Sequence, residues 1–101
     1  MESKILVVIK EPGQKPRVEP AFENTLENMQ KTVGGYIETV TLATDLIFIC
    51  DEEGRWKDYE YNCNVCGVDF VGTVIAVGSK GEDFASLKAK SVPMVLRLLG
   101  G

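Results

Sequence analysis

Apolar and polar positions alternate along this chain in blocks that change period several times. Ile5-Leu6-Val7-Val8-Ile9 is an unbroken apolar run rich in β-branched residues, the pattern of a central strand buried on both faces. Glu11-Pro12-Gly13-Gln14-Lys15-Pro16 breaks it into a loop, and Pro20-Ala21-Phe22 leads toward a helix. Asn24 with Glu27 three residues on matches a capping box. Leu26, Met29 and Val33 then recur at helical spacing. Gly34 is placed to end that helix as a left-handed C-cap, and Gly35 to let the chain reverse closely against a neighbour.

From Tyr36 to Leu42 the residues are β-formers, and after Ala43-Thr44-Asp45 comes the apolar strand Leu46 to Cys50. So short a connection predicts an antiparallel hairpin. Asp51-Glu52-Glu53-Gly54 reads as a turn, Arg55 to Tyr61 as an edge strand or ordered loop, and Asn62 to Asp69 as a loop. Phe70 to Val77 is a strand in which Gly72 marks a bulge or a close neighbour. Ser79 to Asp83 reads as a turn, with Phe84 and Leu87 pinned to the core. Ser91 caps a final short helix with Pro93 in its first turn and Val95, Leu96 and Leu99 as its apolar positions. The pattern predicts an α+β fold: a small mixed or antiparallel sheet of about four strands, one main helix on one face, and a short C-terminal helix.

With 101 residues, no internal repeat and 45% apolar content, the chain is expected to be a single domain, 1–101. No apolar run approaches membrane-spanning length, and Lys10-Glu11-Pro12 follows the first run where a secretory leader would continue. A complete, soluble, cytoplasmic protein is the expectation. The net charge of −4 disfavours a long nucleic-acid partner. Exposed apolar sheet left over by one helix predicts a homodimer or higher oligomer.

The absence of histidine removes the commonest general base and metal ligand together. Three cysteines fit a reduced compartment better than a disulfide framework. Cys63-Asn64-Val65-Cys66-Gly67 has the spacing of half a zinc knuckle, but only Cys50 and carboxylates such as Asp51 or Asp69 remain to complete four ligands. Two free thiols, with no metal and no cofactor, is therefore the preferred reading. Gly34-Gly35 follows a helix, at its negative end, so it does not read as a phosphate loop. Gly78 to Asp83 lacks Walker spacing and reads as a plain turn. An enzyme would have to rely on carboxylates such as Glu38, Asp51, Asp58 and Glu60 alone, and a non-enzyme is expected. Trp56, Tyr59, Tyr61 and Asn62 form an aromatic and amide cluster suited either to binding or to covering the open sheet face.

Taken together, Val33-Gly34-Gly35-Tyr36-Ile37-Glu38, the strand ending in Asp51-Glu52-Glu53-Gly54, Asn62 and Val71-Gly72-Thr73-Val74 resemble an uncharacterised small domain family of Gram-positive bacteria and their phages and mobile elements. The likeness runs from Ile5 to about Leu87. It departs from the family pattern where Trp56 to Tyr61 replaces a short proline-containing loop and where Cys63 and Cys66 are added. The resemblance implies no activity. It implies a context, an accessory protein of a phage or mobile element, acting in the host cytoplasm if phage-encoded.

Such a protein is expected to bind stoichiometrically in a counter-defence role. The first expectation is sequestration of a small anionic, nucleotide-like ligand between copies of an oligomer. Arg17, Arg55 and Lys80 would supply charge, Tyr36 and Trp56 stacking, and Asn62 an amide. The alternatives are a protein-binding inhibitor of a host defence enzyme, its acidic stretch meeting a basic surface, and a structural zinc-knuckle module.

Overall fold

β1 (Lys4–Lys10) is flanked by strands on both sides, as its unbroken apolar run requires. In this computed structural model, which describes residues 3–100, it pairs antiparallel with β2 (Arg17–Glu23) and with β7 (Val74–Lys80). β7 pairs in turn with β4 (Leu46–Asp51), and β4 with β3 (Ile37–Ala43), giving the order β2-β1-β7-β4-β3. β8 (Asp83–Ala85) folds back on the end of β7 as a short hairpin. β5 (Tyr61–Val65) and β6 (Val68–Val71) form a separate two-stranded sheet.

The α+β class, the main helix and the short C-terminal helix follow the sequence pattern. The strand count does not: eight strands in two sheets, among the described residues, replace the expected four. The expected lead-in to the helix at Pro20-Ala21-Phe22 is instead part of β2, whose one buried residue is Phe22, so its hydrophobic signal is nearly absent. The Asn62–Asp69 loop is instead the β5–β6 hairpin. Cys66 and Gly67, at φ 53° and 83°, make its two-residue turn, the backbone of a type I′ connection. The Phe70–Val77 strand is two strands, because at Gly72 the chain leaves the hairpin and enters the main sheet.

Helix α1 (Leu26–Val33) is capped by Thr25, whose Oγ1 accepts from the Asn28 N–H at 3.1 Å, rather than by Asn24. The Asn24 side chain donates to the Phe84 carbonyl instead. α1 ends at Gly34, in the left-handed conformation at φ 96°. Met29 and Val33 bury against Ile5, Val7, Ile9, Ile49, Ile75 and Val77 on one face of the sheet, whereas Leu26 stays exposed.

The opposite face is also covered. Val8, Phe48, Val74 and Ala76 pack under the β5–β6 hairpin, which contributes Val65 and Phe70, and under α2 (Val92–Leu98), which contributes Val95, with Leu99 at its C-cap. Phe48 and Phe70 join sheet to hairpin with ring centroids 5.4 Å apart. The expected uncovered face is thus filled by the chain's own hairpin and terminal helix. The oligomer expected from an open apolar sheet face therefore has no such face to rest on.

Candidate functional site

At the end of the sheet where β4 stops, Asp51 is 5% exposed yet charged. Its carboxylate is fully engaged. Oδ1 accepts from the Glu53 N–H at 2.9 Å, and Oδ2 from Lys57 Nζ at 2.9 Å and from the Tyr59 hydroxyl at 3.0 Å. Burial alone would push this carboxyl up, but the hydrogen bonds from Lys57, Glu53 and Tyr59 outweigh it and hold the group below its ordinary value. The same network raises Lys57, through its bond to Asp51, and raises Tyr59 by burial together with its bond to Asp51.

Lys57 also donates to the Gly34 carbonyl at 3.1 Å, so one ammonium closes the C-terminal end of α1 onto the end of β4. A β-carbon on Gly34 would lie 2.6 Å from the Tyr59 hydroxyl, and one on Gly35 2.6 Å from Lys57 Nζ. The Tyr59 ring rests on Gly72. Asn62 donates to the Gly72 carbonyl and to the Lys10 carbonyl, both at 2.8 Å, while the buried Lys10 ammonium donates back to Asn62 Oδ1 at 3.0 Å. The separated pieces Gly34-Gly35, Asp51, Asn62 and Gly72 therefore meet in one place. Its chemistry is structural: no buried side-chain nitrogen or oxygen among the described residues lacks a hydrogen-bond partner.

What this network displays is the segment between Asp51 and Tyr59. Trp56 is 86% exposed there, and with Arg55 it lines a cleft of about 480 Å³ between β3–β4 and the hairpin. The remaining charged lining is acidic: Glu38, Glu52 and Asp69, besides the engaged Asp51. Tyr61, 58% exposed, donates to Asp69, and Tyr36, 67% exposed, accepts the Glu52 N–H at its carbonyl. Trp56 is thus the exposed aromatic residue of the cleft lining, and Tyr61 and Tyr36 are each hydrogen-bonded to a residue of that lining, Asp69 and Glu52. Cys50 lines it as well, its thiol pushed up to about 11 by burial and by Glu38 and Asp51 against the opposing effect of Arg55. A second concavity, about 370 Å³, lies across Tyr59 and carries Glu11 and Glu60 but no basic residue.

The six candidate residues separate accordingly. Arg55 and Trp56 line the cleft, and Tyr36 is joined through its backbone carbonyl to the lining residue Glu52. Asn62 is a half-buried tie between β1 and the hairpin. Arg17 sits on the far edge strand, paired with Glu11 and Glu19. Lys80 ends β7 at the opposite end of the sheet, beside Thr44, whose carbonyl accepts from Ser79. The structure does not bring the three cations together.

Neither Lys57 nor Lys10 is marked by the sequence pattern, and Asp51, expected in a turn and as a candidate ligand or acid–base carboxylate, is instead the buried centre of this network. An acidic residue closing a fully apolar strand was the available signal. Cys63 is half-buried in β5 and Cys66 exposed at the hairpin tip. No group of three or more potential metal ligands occurs among the described residues. No helix among them is long and apolar enough to cross a membrane.

No curated protein and no solved structure matches the chain. A family model described as a domain of unknown function, DUF3846, matches residues 4–99. Nearly the whole fold, from β1 through α2, lies within that match, and the chain belongs to the DUF3846 family.

Proposed function

We propose that this protein is a non-catalytic binding module that inhibits a partner protein by occupying a basic surface on it. The observation that carries this reading is the cleft at Arg55 and Trp56, lined by the carboxylates of Glu38, Glu52 and Asp69 beside the engaged Asp51, by one guanidinium and by the exposed Trp56 indole. Desolvated aromatics anchor protein interfaces, and carboxylates beside them select basic side chains on the partner. A counter-defence role in a phage or mobile element is the setting in which such stoichiometric inhibition is useful.

Sequestration of a small anion has less support, because Arg17, Arg55 and Lys80 are dispersed and neither concavity is basic. Arg55 beside Trp56 is the arrangement that favours it, a cation next to a stacking surface.

Benzoylphenylalanine placed at position 56 tests the reading in the producing cell. A discrete protein adduct is expected, and it should disappear on Glu38→Lys/Asp69→Lys. Native mass spectrometry showing a co-purified small anion, with no protein adduct, would replace the interface with a ligand pocket.

A further inference from the structure

The two edges of the main sheet are built differently. β2 carries Pro20, and its pairing with β1 is irregular between Ile5 and Val7. Proline and irregular pairing are the usual protection of an edge against strand addition. β3, the opposite edge, runs seven residues, Ile-Glu-Thr-Val-Thr-Leu-Ala, without proline, lysine or arginine. Its pairing with β4 is regular from Ile37 to Thr41 and shifts register between Thr41 and Ala43, at the far end of the strand.

The register decides which backbone groups are free. Tyr36 accepts from the Glu52 N–H, and the ladder continues Glu38 opposite Cys50 and Val40 opposite Phe48. In an antiparallel pair, alternate residues exchange hydrogen bonds with the partner strand and those between point outward. Ile37, Thr39 and Thr41 therefore direct N–H and C=O away from β4, and among the described residues no strand lies beyond them. The side chains of Glu38 and Val40 line the acidic cleft. An incoming strand would lie alongside that same lining.

We infer that β3 is the docking edge of this protein and that its occupant is an extended peptide segment of the partner, added antiparallel, with a basic residue opposite Glu38 and an apolar one opposite Val40. Main-chain bonds to Ile37, Thr39 and Thr41 supply affinity in this mode, and alternate side chains supply specificity. Charge complementarity fixes the register: Glu38, Glu52 and Asp69 favour a basic side chain, whereas Val40, packed against the core cluster, favours an aliphatic one. The inference rests on the reading of the cleft as a protein-binding surface and specifies how that surface is used.

The probe is the peptide acetyl-Lys-Val-Thr-Val-Thr-Arg-Thr-amide, with a control carrying Glu in place of Arg, titrated at low salt into isotope-labelled protein and followed by amide shifts. Shifts concentrated in β3 are expected, with the Arg peptide bound about fivefold tighter than the control. Glu38→Lys should reverse that preference, and Thr39→Pro should abolish the response to both peptides. The Thr39 N–H faces away from β4, so proline there removes no bond of the fold. Glu38→Lys changes an exposed side chain and keeps the test independent of Thr39.

No response to either peptide, or a response that survives Thr39→Pro, would overturn the inference. So would β3 shifts that depend on protein concentration without peptide, together with a dimeric mass by sedimentation, since a second copy would then fill the edge. A protein adduct at position 56 that persists while the peptide response fails leaves the cleft interface standing and removes strand addition alone.

Discussion

Gly35 lies so close to Asp51 that a β-carbon on it would sit 2.7 Å from Oδ2 and 2.9 Å from Oδ1. The chain turns from α1 into β3 directly over a buried carboxylate, and a side chain at 35 has nowhere to go. Gly34 has a different constraint, a left-handed φ of 96° together with the Tyr59 hydroxyl above it. The two glycines are thus required for separate reasons, one by contact and one by conformation.

Alanine substitution should separate those reasons. Gly34→Ala is expected to cost about 1 kcal/mol or more, from backbone strain and displacement of Tyr59. Gly35→Ala should cost about 2 kcal/mol or more, because its β-carbon meets the buried Asp51 carboxylate, which cannot move aside without losing its hydrogen bonds. Urea denaturation of both variants checks the order. Equal stability of Gly35→Ala and the parent would refute the close packing at Asp51.

The Asp51 network sets the pH dependence. The carboxyl is lowered in the folded state, so its stabilisation is fully present above the ordinary value of about 4 and is lost as pH falls through the lower folded value. Lys57 and Tyr59 are raised, so their contribution is present below the ordinary values near about 10 and is lost as pH rises through the higher folded ones. The urea midpoint should therefore be flat at neutral pH and fall on both sides. Asp51→Asn should lower stability by about 2 kcal/mol at pH 7, the scale of hydrogen bonds to a buried charge, and flatten the acid limb. An acid limb identical to that of the parent would assign it to other carboxylates.

Trp56 should be dispensable for folding. With 86% of its surface exposed, Trp56→Ala is expected to change stability by no more than about 0.5 kcal/mol while abolishing any partner inhibition. A large drop in melting temperature would show instead that the indole holds the Asp51–Tyr59 segment in place.

The thiols should react in order of exposure. Cys66, at the hairpin tip, should modify first, half-buried Cys63 more slowly, and Cys50, whose thiol is held up at about 11, last. Cys66→Ser should be neutral. Cys63→Ser should cost about 1 kcal/mol, since its side chain packs against the core cluster. Tightly held zinc in the purified protein, lost with unfolding in the double variant, would make the hairpin a metal module.

Local chemistry alone determined a good deal of this protein. The apolar runs at Ile5 and Leu46 gave buried strands, the spacing of Met29 and Val33 gave α1, the three-residue connection gave the β3–β4 hairpin, and Gly34 gave the C-cap. Each of these is governed by interactions within a few residues, which period and propensity report directly. Tertiary structure decided the rest. β2 pairs with β1 although its own pattern is mostly polar, because an edge strand needs only one inward residue and a neighbour's free backbone groups. The Cys-x-x-Cys stretch became a hairpin because Phe70 and Val65 are needed to cover Phe48. The cleft and the Asp51 network depend on contacts between residues 34, 51, 57, 59 and 72, brought together when the chain passes from helix to sheet to hairpin. No local pattern carries that information: the free energy that places a lysine on a buried carboxylate, or leaves β3 without a neighbour, arises only once distant segments meet.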